Sequence, residues 1–311
     1  MTQPFRLTAT GYNINYLPQY IATRHGFFSE QGLDVVTTIP TPWDGVLDAL
    51  ADGTADMSLG GIWVPSMYRG RVPNDYTVFA QIANRCPLAL LRRSSREKFS
   101  FKNDLVGKTV LMKSIGGASV GLWFKMLLRE QEVDPRLLDF IQDLDGVMLG
   151  NLFQGGMGDF FVTDILSATA MAAKNPDVSI AMEMVTQGDV PWSVYYRETA
   201  TITPQLLEMQ TKFCVGLNKG IEWVLQHEAK EFADELAELF PKVPVEAAMQ
   251  VVDTFRKNGM WRTSKIPQEA FDRWQKGLCE AKFVAKPLSY DAIVDSGPAE
   301  EALRQAIPGR K

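Results

Sequence analysis

The order of hydrophobic and polar positions predicts alternating strands and helices in the first part of the chain. Residues 18–26 carry apolar side chains at helical spacing, with Pro18 in the first turn and Gly26 where such a helix ends. A second helix is predicted at 44–51. Short apolar or alternating runs predict strands at residues 5–10, 33–39, 55–60, 78–83 and 88–92. This alternation favours a mainly parallel sheet.

The alternation restarts near residue 104 and predicts a second sheet. Strands are expected at 109–112, 160–162 and 178–184, and helices after 119, at 147–153 and at 165–174. A return strand follows at 190–195, and beyond residue 204 the spacing predicts helices at 206–227, 231–240, 245–257 and 268–281. We therefore expect two α/β lobes built one after the other, with a helical C-terminal part.

Composition narrows the class of protein. Hydrophobic residues make up 46% and charged residues 22% of the 311 positions, which is ordinary for a soluble globular protein. A net charge of -5 without a basic cluster disfavours nucleic-acid binding, because phosphates must be neutralised by Lys and Arg. No apolar stretch approaches the roughly 20 residues that span a bilayer, so membrane insertion is not expected.

The cysteines and the start of the chain carry few signals. Cys86, Cys214 and Cys279 are far apart, with no CxxC pair and no nearby histidine, so we expect reduced thiols and neither a metal nor a cofactor. The chain enters a strand directly after Met1 without an apolar leader. We expect a cytoplasmic protein as written, and a periplasmic one if a leader has been removed.

Four motifs occur in order along almost the whole chain. The first, A-x-x-x-G-F-F-x-x-x-G-L-D-V, covers residues 22–35, and the second, L-x-x-G-x-A-D, covers 50–56. The third, L-x-G-K-x-V, covers 105–110, and the fourth extends from 266 to 295. By these motifs the chain resembles the substrate-binding proteins of the nitrate/sulfonate/taurine class and the related thiamine-pyrimidine (NMT1/THI5-like) proteins.

The resemblance implies a type II periplasmic-binding-protein-like fold, with two α/β lobes around a cleft. It places lobe one at 1–94 plus 190–311, which includes the C-terminal helices, and lobe two at 95–189. A small organic ligand is implied, and an ABC permease is the implied partner of a periplasmic form.

Ligands of such folds bind near the carboxyl ends of strands, which selects candidates in lobe one. Aromatic rings there can stack on a planar ligand, an asparagine can both donate and accept, and a glycine allows close backbone approach. The lobe-one candidates are Tyr12, Asn13, Tyr16, Trp43, Gly61 and Trp63.

The remaining candidates lie near the junction of the lobes and in lobe two. Arg85 can hold a carboxylate or sulfonate, or can equally pair with a surface acid. Gly116, Gly117 and Ser119 precede a helix whose N–H groups favour an anion, although a plain helix cap is the open alternative. Asp164 is expected to cap the helix at 165–174, to face the ligand, or both. Trp192, on the return strand, completes the set.

These residues favour binding over catalysis. The predicted cleft is aromatic with few charges, which suits an aromatic or heteroaromatic carboxylate or sulfonate. An enzyme of the same fold, a lyase, decarboxylase or desulfinase acting on an aromatic acid or pyrimidine, remains the alternative. In that case Asp44, Cys86 and Asp164 are the candidate catalytic residues.

Overall fold

The computed structural model describes residues 2–93, 97–113 and 118–306. Within these ranges ten strands form two five-stranded sheets. The first sheet has the order β2-β1-β3-β10-β4, with β1 Gln3–Ala9, β2 Leu33–Thr38, β3 Met57–Gly60, β4 Tyr76–Ala83 and β10 Ser193–Glu198. The second has the order β7-β6-β8-β5-β9, with β5 Leu88–Arg93, β6 Thr109–Met112, β7 Asp139–Ile141, β8 Phe160–Asp164 and β9 Val178–Glu183.

Thirteen α-helices surround the sheets in the described part of the chain. Those in the first two thirds are α1 Leu17–Arg24, α2 Gly45–Ala51, α3 Trp63–Tyr68, α4 Phe101–Leu105, α5 Ala118–Glu130, α6 Gly146–Gln154 and α7 Ile165–Lys174. The C-terminal helices are α8 Pro204–Gln226, α9 Ala233–Leu239, α10 Val245–Lys257, α11 Gln268–Glu280, α12 Tyr290–Ile293 and α13 Gly297–Gln305. The predicted two-lobed α/β fold with a helical C-terminal part is confirmed.

Four strands of each sheet run in the same direction, in line with the predicted mainly parallel sheets, and the fifth runs antiparallel to its neighbours. β10 runs antiparallel to β3 and β4, and β5 runs antiparallel to β8 and β9. These are the strands that the chain enters on crossing from one sheet to the other. Because β4 and β9 end beside the gap between the sheets, the next strand must start there and run away from it.

The sheets also locate the crossovers between the lobes. β4, in the first sheet, ends at Ala83, and the next strand, β5, lies in the second sheet. The chain therefore crosses between the sheets within residues 84–87. The lobe boundary drawn from the sequence lies at residue 94, after β5 instead of before it. The difference arises because a buried apolar strand has the same pattern in either sheet. The return crossing lies between β9 and β10.

Side-chain caps fix two helix starts near the gap between the sheets. The Asp145 carboxylate accepts hydrogen bonds from the Val147 and Met148 amides at 2.8 and 3.0 Å and so caps α6. The Asp164 carboxylate accepts from the Ser167 amide at 2.8 Å and caps α7.

Within the described ranges, every helix is too short or too polar to cross a lipid bilayer.

Candidate functional site

A cleft of about 830 Å³ separates the two sheets at the carboxyl ends of their parallel strands. Its position follows from the topology, because β1, β3, β6 and β8 end there while β5 and β10 begin there. The volume lies within the range of small-molecule sites. Both walls therefore consist of strand ends, the loops after them and helix N-termini.

The lobe-one wall contains a buried polar pair. The Asn15 side-chain amide donates to the Ser193 hydroxyl at 3.2 Å, and the Trp261 indole N–H donates to the backbone carbonyl of Asn15 at 2.9 Å. Both Asn15 and Ser193 line the cleft and are almost fully buried. Because their bonds hold them in place, they present fixed polar groups to the cleft.

Tyr16 stands beside this pair, and Asn13 lies next to it in the lining. Burial raises the pKa of the Tyr16 hydroxyl, while hydrogen bonds to Thr10, Ser193 and Asn13 oppose the shift. The phenol therefore stays protonated at neutral pH and can donate as well as accept. The structure thus brings the predicted Asn13 and Tyr16 together with Asn15, which the sequence analysis passed over.

Two tryptophans of lobe one form an aromatic corner of the cleft. The Trp43 and Trp63 rings meet edge to face, with centroids 5.6 Å apart and an interplanar angle of 62°. A Cβ on Gly61 would lie 2.4 Å from Trp63 Cδ1, so only glycine leaves room for this ring. Gly61 therefore positions Trp63, and all three predicted residues line the cleft.

Trp192 lies on the segment that returns from lobe two to lobe one, and it also lines the cleft. Behind it stand the fully buried Trp123 of α5 and Trp274 of α11, with ring centroids 6.2 and 6.3 Å from that of Trp192. The three rings connect lobe two, the returning segment and the C-terminal helices at the back of the cleft.

The lobe-two wall is more polar and carries all the charged side chains of the described lining. These are Lys113 after β6, Asp145 at the start of α6 and Asp164 at the start of α7. The sequence analysis left the role of Asp164 open between capping and ligand contact; this residue both caps α7 and lines the cleft. Ser119 of α5 also lines the cleft as predicted, whereas Gly116 and Gly117 lie outside the described residues.

Two predicted residues lie away from the cleft. Tyr12 stacks on Tyr20 with centroids 4.4 Å apart and lines a neighbouring pocket of about 360 Å³ on lobe one, which shares Gly11 and Tyr16 with the cleft. The Arg85 guanidinium pairs with the Asp189 carboxylate at 2.7 Å and donates to the Val185 carbonyl at 3.1 Å. Arg85 thus pairs with an acid, which was the alternative that the sequence analysis left open for it. Its side chain is largely buried.

The residues named for an enzyme do not come together. Cys86 is fully buried, and burial raises the pKa of its thiol well above the ordinary value. Asp44 lies at the exposed N-terminus of α2, and neither residue belongs to the cleft lining. Among the described residues, no group of three or more His, Cys, Asp or Glu side chains is arranged to hold a metal ion.

Sequence reasoning missed several polar groups of the cleft. Beside Asn15 and Ser193, the lining contains Lys113, Asn151 and Gln154. Lys113 could have been found, because it directly follows the predicted strand at 109–112 and so obeys the same rule that selected the other candidates. Asn151 and Gln154 lie inside a helix, where only the packing of α6 shows which face meets the cleft.

Two α/β sheets joined by crossing segments, with a lined cleft between them, define the periplasmic-binding-protein fold. The chain belongs to the NMT1/THI5-like family, whose model matches residues 13–230. Among curated proteins it is similar to one from Bacillus subtilis strain 168 named "Putative binding protein YtlA", with 24% identity over 94% of this chain and 88% of that one.

Solved structures share the fold over nearly the whole chain. The periplasmic sulfonate-binding protein SsuA from Methylobacillus flagellatus KT superposes with a TM-score of 0.73 at 16% identity, covering 98% of this chain and 95% of that one. The periplasmic nitrate-binding protein NrtA from Synechocystis PCC 6803 superposes with a TM-score of 0.68, also at 16% identity, covering 99% and 89%. Identities this low support a common fold and leave the ligand to be argued from the cleft.

Proposed function

We propose that this protein is the ligand-binding component of an ABC-type importer and that its ligand is a planar aromatic or heteroaromatic carboxylate or sulfonate. The observation that carries the proposal is the division of the cleft, in which Trp43, Trp63 and Tyr16 line one wall and Lys113 lines the other. Flat rings stack on aromatic side chains, while an acid group pairs with an ammonium.

The size of the cleft supports an organic ligand over a small inorganic anion. About 830 Å³ exceeds what nitrate or sulfate fills, and such an ion would leave the aromatic corner facing water. The superposed SsuA is named as part of a sulfonate ABC transporter, and the Bacillus subtilis relative is named as a binding protein, which supports the transport role. Closure of the lobes would then enclose the ligand and exclude water from its acid group.

A thermal-shift screen against aromatic carboxylates, heteroaromatic carboxylates and arenesulfonates tests the ligand class. A ligand present at about a hundred times its Kd should stabilise the protein by roughly 2.7 kcal/mol, which is a clear shift in Tm. Chromatography of each mixture afterwards should recover the compound unchanged. Conversion to a product would instead place the protein among enzymes, and a panel without any shift would contradict the ligand class.

A pair of substitutions tests the site independently of the ligand's identity. Trp43→Ala should weaken binding of any ring acid from the screen by about tenfold, because a stacking surface is lost. Tyr12→Ala is the matched control, since its ring stacks on Tyr20 outside the cleft. Equal affinities for both variants and the parent protein, measured by calorimetry, would remove the aromatic corner from the site.

A further inference from the structure

Lys113 and Asp164 follow two neighbouring strands of the second sheet at the cleft. β6 and β8 are parallel and pair Met112 with Val162, so Lys113 lies level with Thr163, one residue before Asp164. From the spacing of strands and the rise per residue, the two backbones are roughly 6 Å apart. Both side chains line the cleft.

The opposite end of the same two strands carries the same arrangement. β6 pairs Val110 with Phe160, so Lys108 again lies one residue before the level of an aspartate, Asp159. There the Lys108 ammonium and the Asp159 carboxylate form an ion pair at 3.6 Å. Within the described ranges, neither Lys113 nor Asp164 takes part in an ion pair, although their register is identical.

The surroundings explain why the charges at the cleft stay apart. One Asp164 oxygen accepts from the Ser167 amide and is directed towards the start of α7. The Lys113 stem runs the other way, with its Cδ 3.6 Å from where a Cβ on Gly146 would lie, at the start of α6. The other Asp164 oxygen accepts from the Thr163 hydroxyl at 3.5 Å, a long and weak hydrogen bond. The lobe-two wall thus presents the Lys113 ammonium and the Asp164 carboxylate to the cleft, with no ion pair between them among the described residues.

We infer that the ligand is amphoteric: it carries an acid group that accepts from the Lys113 ammonium and an amine or ring N–H that donates to Asp164. This inference rests on the proposed function, since it refines the class of ring acids bound in the same cleft. Asp164 is exposed and Lys113 is partly buried, and closure of the lobes on a ligand would take both charges out of water. Buried charges are costly unless each finds a partner, and a ligand with both groups supplies the two partners at once.

The test uses isosteric probe pairs that differ only in the amine. Calorimetry measures the Kd of 3- and 4-(aminomethyl)benzoate and of 3- and 4-ethylbenzoate. The aminomethyl member of at least one pair should bind about ten- to a hundredfold tighter, the range of one charge-assisted hydrogen bond. Lys113→Met should weaken both members, because it removes the partner of the shared carboxylate.

Asp164→Asn separates recognition from folding, because asparagine caps a helix as well as aspartate does. The variant should lose the preference for the amine while binding ethylbenzoates as before. Asp159→Asn, which has the same strand register at the far end of the sheet, is the matched control and should keep the preference.

Three outcomes overturn the inference in distinguishable ways. If ethylbenzoates bind as tightly as their amines, the ligand class of the proposed function stands and the amphoteric refinement fails. If Asp145→Asn abolishes the preference and Asp164→Asn does not, the assignment to Asp164 is wrong. If no probe binds although the thermal-shift screen yields a ring acid, the amphoteric refinement fails and the ligand class stands; if the screen gives no shift either, the class fails and the inference falls with it.

Discussion

The three cysteines differ in what surrounds each thiol. Cys86 and Cys214 are buried, whereas Cys279 is partly exposed. Burial raises the pKa of Cys86 well above its ordinary value, and it raises that of Cys214 to about 12, against a hydrogen bond from Ser264. A buried thiol with a raised pKa carries almost no thiolate at neutral pH, which is the form that reacts.

We predict that Ellman's reagent modifies Cys279 rapidly in the native protein, and Cys86 and Cys214 only after unfolding. Absorbance at neutral pH should therefore report one fast thiol per chain, and three in denaturant. Cys279→Ser should remove the fast reaction. If a fast thiol persists in that variant, Cys86 or Cys214 is accessible, and a nucleophilic role for Cys86 would have to be reconsidered.

Helices α1 and α8 pack so closely that their contact depends on glycine. A Cβ on Gly220 of α8 would lie 2.3 Å from the Pro18 carbonyl oxygen and 2.9 Å from Ala22 Cβ in α1. The carbonyl belongs to the backbone, so it can move away only if the helices separate. Because α1 starts just after the Asn13–Tyr16 segment of the cleft, this packing also supports the lobe-one wall.

Gly220→Ala should lower the free energy of unfolding by about 1–3 kcal/mol, the usual cost of overpacking, despite the better helix propensity of alanine. Gly150→Ala in α6 provides the comparison, since its Cβ would meet only side-chain carbons of Met171 and Phe161 at 3.8 Å. That variant should be neutral or gain up to about 1 kcal/mol. Equal urea midpoints for the two would contradict the proposed clash.

The two lobes share their hydrophobic cores. One cluster of buried side chains includes Phe79 of the first sheet and Phe161 of the second, together with Phe255 of α10. The other includes Val78 and Val110, again one from each sheet, with Trp274 of α11. Helices α10 and α11 contact α7 and α5 of the second lobe, so the C-terminal part joins both lobes.

We therefore predict that the chain unfolds as one cooperative unit. Urea curves followed by tryptophan fluorescence and by far-UV circular dichroism should coincide. Phe255→Ala should shift both curves together by about 3–5 kcal/mol, because it empties a site in a shared core. A first transition seen by one probe alone, or a shift confined to one of two transitions, would show that the lobes unfold independently.

Several strand and helix positions follow from the sequence alone because their signals are local. The helices at 165–174 and 245–257 were predicted with the bounds they have, since apolar spacing does not depend on distant residues, nor does the Asp164 cap of the first helix. β5 was assigned to lobe one although it belongs to the second sheet, because no local signal decides which sheet it joins. A buried strand has no polar face, so nothing in Leu88–Arg93 shows which sheet it joins.

The sequence by itself determined the two-lobed fold. Most of the site residues it predicted line the cleft, because parallel strands place their carboxyl ends at one edge. Only the tertiary structure decided how those groups are used. Tyr12 stacks on Tyr20 and Arg85 pairs with Asp189. Among the described residues Lys113 and Asp164 form no ion pair, in a register where Lys108 and Asp159 do. These outcomes depend on side-chain direction and on neighbours far away in the chain, which periodicity and spacing do not encode.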